Sequence, residues 1–468
     1  VPYAVLAATA TALALLRAAA GPIRDVDYYW HLIVGQEILA GTPVAEAGRG
    51  WSFAPVADTW VSTQWLAEVV LAALEDLGGT STALLYRVLT TAVALATLAW
   101  ATLRRRPMRV AAWVYTLAAV QLALFAQERS QQFTYAMAPI VGLWAVRAWR
   151  EGRLPRWWVA LPLVWVWAQY HGGWVLAPAV LGLAALARLV DQRSWDRVVG
   201  GLLGLAAGSA LVALVSPAGI GTLTATLRFS EATGTINEWE RTEPWNLASL
   251  PLLVLFLLVV VAWARGRSRP TTGELILVLA LVAFAFAANR NLPTAALVLA
   301  PVVVGILARA VGEPDPVPEG TVVPLLRPAW AFVGAVAVVS VLVAATTPAV
   351  DTERVPDRLL ARIAEDGGGR VLNSYNVSGA LLWFAGPPPA VTVGVDGRAD
   401  RYGGAYLERY SEMEAGEPGW DVLVDELDPE LALLRTTRPL AELLVLRRGW
   451  VEIDRQGEYV LLRAPDST

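Results

Sequence analysis

The chain contains no cysteine, so it has neither disulfides nor thiolate metal sites, and its composition leaves the redox compartment open. It also contains no lysine: every basic side chain other than its 2 histidines is arginine. That excludes Schiff-base chemistry and a phosphate-loop lysine. A GC-rich genome is the plain explanation of the bias. Charge is scarce, at 17% of residues, and the net value of -4 argues against general nucleic-acid binding, which needs a basic face.

What is abundant is apolar. Of 468 residues 56% are hydrophobic, and the mean hydropathy is +0.49. A soluble chain of this length would have no core large enough for that surface, and apolar runs near twenty residues are the mark of membrane-spanning helices. Spans are expected near 2–20, 80–103, 108–126, 132–149, 157–171, 173–190, 197–215, 248–265, 272–289, 292–310 and 328–347, about eleven in all. The first has no small-residue cleavage site followed by a soluble domain, so it reads as a retained span and not a signal peptide.

The arginines set the expected orientation. Arg104, Arg105, Arg106 and Arg109 form one cluster, and Arg147, Arg150, Arg153 and Arg156 form the next, two spans later. Arg188, Arg193 and Arg197 follow, then Arg265, Arg267 and Arg269, then Arg309 and Arg327. They fall on every second loop. The positive-inside bias then places the N-terminus in the cytoplasm and the C-terminal part outside. Residues 62–77 carry Gln64, Glu68, Glu75 and Asp76. A crossing there would move the first arginine cluster outside, so this segment and 28–41 are expected to be surface helices within an outer loop, 21–79. The expected division is a transmembrane domain, 1–348, and a soluble extracytoplasmic domain, 349–468.

In the second part, helices near 404–415 and 438–446 alternate with strands near 370–373, 391–395, 431–435, 450–454 and 458–463, as in a small α/β domain. Asn376-Val-Ser378 matches a glycosylation sequon, read as chance. Gly200, Gly204 and Gly208 recur every fourth residue, a spacing that serves close helix packing more commonly than room for a lipid tail.

Polar residues collect on the loops assigned outside. Asp25 and Asp27 are two apart, so both carboxylates can address one hydroxyl or one cation, and limited water raises basicity toward general-base work. The plain alternative is that they cap the helix starting near Tyr28. His31 lies one turn beyond Asp27, for a metal or substrate role or for an interfacial hydrogen bond. Glu128, Arg129, Gln131 and Gln132 form the second outer loop, and His171-Gly-Gly173 the third, where a helix-joining turn is the commoner reading. Asn237, Glu238, Glu240 and Arg241 form the fourth, and Asn289, Arg290 and Asn291 the fifth. Arg129 and Arg290 suit a phosphate clamp or, equally, local salt bridges and snorkelling. The 21 tryptophans mostly read as interfacial anchors. Trp30, Trp60 and Trp65 are secondary candidates for stacking on a sugar. Asp396 and Arg398, at the end of a predicted strand, either reach a site or pair with each other.

These pieces carry a resemblance: Asp25-Val-Asp-Tyr-Tyr-Trp-His-Leu-Ile-Val-Gly35, Trp60-Val-Ser-Thr-Gln-Trp-Leu-Ala-Glu68, Arg129-Ser-Gln-Gln-Phe133, His171-Gly-Gly173, Ser216-Pro-Ala-Gly219, Asn237-Glu-Trp239, Arg290-Asn-Leu-Pro293 and Val395-Asp-Gly-Arg398. One span, an acidic D-x-D, a long outer loop with surface helices, many spans and an outer domain together resemble the GT-C superfamily of integral-membrane glycosyltransferases. More closely, the chain is similar over nearly its whole length to a group of bacterial membrane proteins of the same architecture. For the chemistry this is a fold-level analogy. The resemblance implies a mainly α, polytopic GT-C-like membrane protein with a small α/β domain, in a bacterial plasma membrane. Its donor would be a polyprenyl-phosphate-linked sugar and its acceptor a glycan, lipid or protein. On the matching positions Asp25 would be catalytic base or metal ligand, supported by Asp27. Glu128 would be a second-loop acid. Arg129 and Arg290, with His171, Gln132 and Trp30, would bind lipid phosphate or substrate. A divalent cation (Mg2+ or Mn2+), if used, would draw on Asp25, Asp27, His31 and Glu128. The chain lacks the Asp-Glu pair of the mannosyltransferases and the W-W-D motif of oligosaccharyltransferases. Two other readings stand beside an enzyme: a lipid-sugar flippase or transporter, against which the scarcity of mid-span acids and of repeats weighs, and a non-catalytic scaffold for cell-envelope assembly.

Overall fold

A computed structural model describes residues 2–103, 108–224, 240–265, 269–312 and 323–465. Arg104–Arg106, Arg267 and the stretch with Asn237 and Glu238 lie outside the described residues. The chain divides into two compact units: a helical one of Val1–Ala20, Leu84–Gly219 and Glu238–Thr347, and a mixed one of Gly21–Ala83, Ile220–Asn237 and Pro348–Thr468.

The helical unit contains α1 (Pro2–Ala19), α4 (Ser81–Thr102, from Leu84), α5 (Met108–Leu124), α6 (Gln131–Glu151), α7 (Trp157–Tyr170), α8 (Leu176–Gln192), α9 (Arg197–Ala213), α10 (Leu250–Ala264), α11 (Thr272–Ala287), α12 (Asn291–Ala310) and α13 (Val323–Thr346). Helices stand at all the expected positions, but among the described residues 6 are long and apolar enough to cross a membrane: Pro2–Ala19, Ser81–Thr102, Gly172–Gln192, Leu247–Ala264, Asn291–Ala310 and Ala329–Thr346. Three more, Met108–Leu124, Arg197–Ala213 and Thr272–Ala287, are apolar but shorter. The chain is a multi-pass membrane protein.

Local chemistry sets the helix ends. Asp196 caps α9 by accepting from the Val198 and Val199 amides at 3.0 and 2.9 Å. Thr271 and Glu274 form a capping box on α11. Gly152 ends α6 at a φ of 67°, which a side chain would strain. Where α6 and α12 cross, a Cβ on Gly142 would overlap the Val298 carbonyl. The α9 glycines divide differently from their spacing. Gly208 approaches Leu161 of α7 and Gly201 approaches Leu154, whereas Gly204 has nothing within 4 Å. Packing therefore uses Gly201 and Gly208, seven apart, and not the full every-fourth series.

The mixed unit contains α2 (Tyr28–Leu39), α3 (Trp65–Gly78), α14 (Asp357–Glu365), α15 (Ser378–Phe384), α16 (Ala399–Tyr402), α17 (Gly404–Glu414), α18 (Trp420–Leu427) and α19 (Pro439–Arg448), with strands β1 (Gly369–Asn373), β2 (Val391–Val393), β3 (Leu431–Arg435), β4 (Val451–Gln456) and β5 (Tyr459–Arg463). The sheet order is β2-β1-β3-β5-β4. β1 is parallel to β2 and β3, with Val371 opposite Val393 and Leu431, while β3–β5 and β5–β4 are antiparallel.

Residues 21–83 thus group with 348–468, where sequence reasoning places the loop with the spans. The physical reason is direct pairing. Ser52 bridges Val393 in parallel, the Phe53 amide donates to the Val393 carbonyl at 3.1 Å, and the Val393 amide donates to the Trp51 carbonyl at 2.9 Å. The first loop thereby covers the otherwise open edge of β2. The two surface-helix segments are α2 and α3, which pack on each other. A Cβ on Gly35 would overlap the Glu68 carbonyl, so only glycine allows their approach.

Candidate functional site

In the mixed unit, the turn before α2 carries the acids. The Ile23 amide donates to the Ala349 carbonyl at 2.8 Å, which pins the chain just ahead of Asp25. Asp25 is 3% exposed. Its Oδ1 accepts from the Asp27 amide at 3.1 Å, an Asx turn that orients the carboxylate. Asp27 occupies the N-cap position of α2, but its side chain does not cap the helix. Its Oδ1 instead accepts from Trp30 Nε1 at 3.1 Å.

His31 is directed away from the acids. Its Nδ1 lies 3.0 Å from Glu68 Oε1, with both side chains buried. Trp30 is 4% exposed, with the His31 ring 3.6 Å away between centroids and Trp60 edge-on at 6.1 Å. In this position Trp30 holds Asp27 and packs; it is not an open sugar platform. Two glycines press on this turn from the second half of the unit. A Cβ on Gly397 would overlap Asp27 Oδ1 and Trp30 Nε1, and one on Gly379 would come within 3.1 Å of the Val26 carbonyl.

Next to Gly397, Asp396 and Arg398 form the internal ion pair that was one of the two sequence readings. Asp396 is 0% and Arg398 1% exposed. Arg398 Nε donates to Asp396 Oδ1 at 2.8 Å and Nη2 to Oδ2 at 2.6 Å, while Nη1 donates to the Gly48 carbonyl. The guanidinium lies over Trp51 at 4.5 Å and Trp60 at 5.1 Å. Tyr402 donates its hydroxyl proton to Asp396 at 2.7 Å. Burial alone would push Asp396 up, but the Arg398 charge and the hydrogen bonds from Arg398 and Tyr402 outweigh it and hold the carboxyl below its ordinary value. These residues lock the first loop to the sheet and do not face an open cleft.

In the helical unit, loops from several helices meet at one end. Glu128, fully buried, pairs with Arg87 Nη1. Arg87 also donates through Nε to the Ala18 carbonyl and through Nη2 to the Ala20 carbonyl at 3.2 Å. Glu128 is therefore a counter-ion in a buried staple at the C-terminus of α1. Gln131 Nε2 donates to the Arg290 carbonyl at 3.3 Å, bringing the Arg129 and Arg290 loops together. The Asn289 amide donates to the Glu240 carbonyl at 3.1 Å, which adds the fourth loop. Gln132, 1% exposed, closes its own loop by donating to the Gln127 carbonyl at 3.0 Å. Arg129 and Arg290 are both half-buried.

The His171 turn joins the same assembly through Thr134. Trp167 Nε1 donates to Thr134 Oγ1 at 2.8 Å, Thr134 Oγ1 lies 2.8 Å from His171 Nδ1, and the Gly173 amide donates to that nitrogen at 2.9 Å. Nδ1 must carry the lone pair, so the neutral ring bears its proton on Nε2.

Two of the four suggested metal ligands have other partners. His31 is paired with Glu68, Glu128 with Arg87, and among the described residues no group of three His, Asp or Glu side chains has the arrangement to hold a cation.

No protein-family model matches the chain, and no curated protein sequence matches it. Solved structures do. The Archaeoglobus fulgidus oligosaccharyltransferase superposes with a TM-score of 0.53 at 10% identity, over 92% of this chain and 69% of that one. The fold is that of the GT-C superfamily. ArnT from Cupriavidus metallidurans bound to undecaprenyl phosphate matches with a TM-score of 0.51 at 15% identity, covering 99% of this chain and 98% of its own. The mycobacterial arabinofuranosyltransferase AftD matches with a TM-score of 0.53 at 16% identity over 100% of this chain, which spans only 42% of that protein.

Sequence reasoning missed two partners, Arg87 and Glu68. Arg87 had a readable signal: an arginine inside an apolar helix demands a buried counter-charge. Glu68 stood in a helix assigned to the surface, and nothing local marks it as the partner of His31.

Proposed function

We propose that the chain is a membrane glycosyltransferase moving a sugar from a polyprenyl-phosphate donor to an acceptor hydroxyl outside the cytoplasm. The GT-C fold supports the class, and the ArnT neighbour with undecaprenyl phosphate bound supports a lipid phosphate as leaving group. One observation carries the reading: an oriented carboxylate, Asp25, 3% exposed, in the turn that follows the first span.

In this mechanism the acceptor oxygen attacks the anomeric carbon while its proton passes to the Asp25 carboxylate. The bond from that carbon to the phosphate oxygen breaks, its electron pair leaves with the polyprenyl phosphate, and configuration inverts once. Arg129 and Arg290 take up the leaving group's charge. Asp27 positions the turn through Trp30, and the His171 Nε2 proton is a further phosphate donor. No step in this reading passes through a metal. The arginine distribution supports a cytoplasmic N-terminus and an external mixed unit.

The test is turnover of a panel of polyprenyl-phosphate sugars by purified protein in nanodiscs, with and without Mg2+ or Mn2+. Asp25→Asn is expected to lower polyprenyl-phosphate release by about 10²–10⁴-fold, the usual weight of general-base catalysis. Equal turnover in the variant would remove Asp25 from the mechanism. Lipid binding without turnover across the panel would favour the flippase or the scaffold.

A further inference from the structure

The helical unit has a cleft of about 960 Å³ lined by α4, α6, α7 and the loop between the last two. Its walls are Val93, Ala96, Trp100, Ile140, Trp144 and Leu163, and its mouth carries Arg147, Arg153 and Arg156. It lies toward the C-terminal end of α6, whereas the Arg129 loop precedes the N-terminus of that 21-residue helix. At 1.5 Å per residue Arg147 stands about 24 Å along the helix from Gln131, so the basic mouth of the cleft is separate from the Arg129–Arg290 assembly.

The arginines at this end of the unit fall into two sets. Arg150 and Arg309 share the Glu274 carboxylate, and Arg188 pairs with Asp196. At the cleft, Arg147 lies over the Trp100 ring at 5.6 Å and Arg156 over Trp158 at 5.5 Å. Among the described residues neither has a carboxylate within ion-pair distance, and Arg153, itself largely solvated, has Glu151 no nearer than 4.0 Å. Arg156 also occupies the N-cap position of the 14-residue α7, whose first amides add partial positive charge. Trp157 and Trp158 beside it are 67% and 56% exposed, as interfacial anchors are. A basic mouth above an apolar, laterally open groove is the form of an anionic-lipid site between membrane helices.

We infer that this cleft binds an anionic phospholipid of the surrounding leaflet. The phosphate sits between Arg147 and Arg156, and an acyl chain runs along Trp100, Trp144 and Ala96.

Native mass spectrometry of the full chain in neutral detergent, titrated with phosphatidylglycerol or phosphatidylcholine, tests it. The wild type is expected to take up phosphatidylglycerol at a concentration at least about ten-fold lower than phosphatidylcholine. Arg147→Gln and Arg156→Gln should each weaken that uptake about five-fold, the weight of one arginine at a charged membrane surface. Arg197→Gln, at an exposed arginine outside the cleft lining, should leave it unchanged. Ala96→Trp fills the apolar groove and should lower uptake of both lipids. All four positions are exposed, and melting in lipid-free detergent verifies that the variants fold. Equal uptake of the two lipids by the wild type, an unchanged preference in the Arg147→Gln/Arg156→Gln double variant, or no effect of Ala96→Trp would each overturn the assignment.

Discussion

Replacing Arg398 by methionine removes a fully enclosed cation while leaving its volume nearly filled. Asp396, 0% exposed, then loses two charge-assisted donors at 2.6 and 2.8 Å and keeps the Tyr402 hydroxyl and the Arg398 backbone amide. The Gly48 carbonyl loses its guanidinium donor, and Trp51 and Trp60 lose the cation between them. Breaking one side of a buried pair costs about 3–5 kcal/mol, because the remaining charge is uncompensated. For a unit of about 200 residues, near 2–4 °C per kcal/mol, the melting point should fall by roughly 6–20 °C. Loss of the Gly48 contact should also open the segment around 41–60 to protease before global unfolding. The Asp396→Asn/Arg398→Met double variant removes the stranded charge and should recover at least about 2 kcal/mol over Arg398→Met. The pH dependence has a definite sign. Asp396 is held below its ordinary value, so its stabilisation is present above the unfolded carboxylate pKa and is lost as pH falls through the lowered folded value. Differential thermal unfolding with limited proteolysis, in nanodiscs, reads all of this. An Arg398→Met melting point within 2 °C of wild type, or a double variant no more stable than the single one, would refute the reasoning.

Gly397→Ala forces a Cβ against Asp27 Oδ1 and Trp30 Nε1; it should cost about 1–3 kcal/mol by overpacking and reduce kcat beyond the loss of folded protein. Gly379→Ala, whose nearest contacts are 3.1–3.2 Å, should be milder on both counts, and turnover normalised to folded fraction separates them. Glu414 accepts from Ser374 at 2.7 Å and its carboxyl is raised by burial, which outweighs that hydrogen bond and the charges of Arg438 and Arg435. A raised carboxyl loses stability as pH climbs from the unfolded value through the folded one. Glu414→Gln keeps an acceptor for Ser374 and should match wild type near pH 4 and exceed it at pH 7; parallel melting curves at the two pH values would contradict this.

The positions of the helices and strands were legible because they rest on local information. An apolar run long enough for lipid reads as a helix, and Val391-Thr-Val393 or Leu431-Ala-Leu-Leu434 reads as a buried strand, whatever surrounds it. The acidic turn at Asp25 and Asp27 was visible for the same reason: two carboxylates just after a span need an explanation. Choice of partner was not legible. Glu128 could face Arg129 beside it or Arg87 on another helix, and the structure places it against Arg87, whose guanidinium also reaches the carbonyls of Ala18 and Ala20. His31 had Asp27 one turn away, yet its ring pairs with Glu68 across the α2–α3 contact that Gly35 permits. Residues 21–83 looked like an appendage of the spans until their backbone was found on the edge of β2. Composition and periodicity determine where a chain meets lipid and where it coils or extends. Which of several equivalent arginines, acids or strand edges are joined depends on distances across the fold, and those the tertiary structure alone decides.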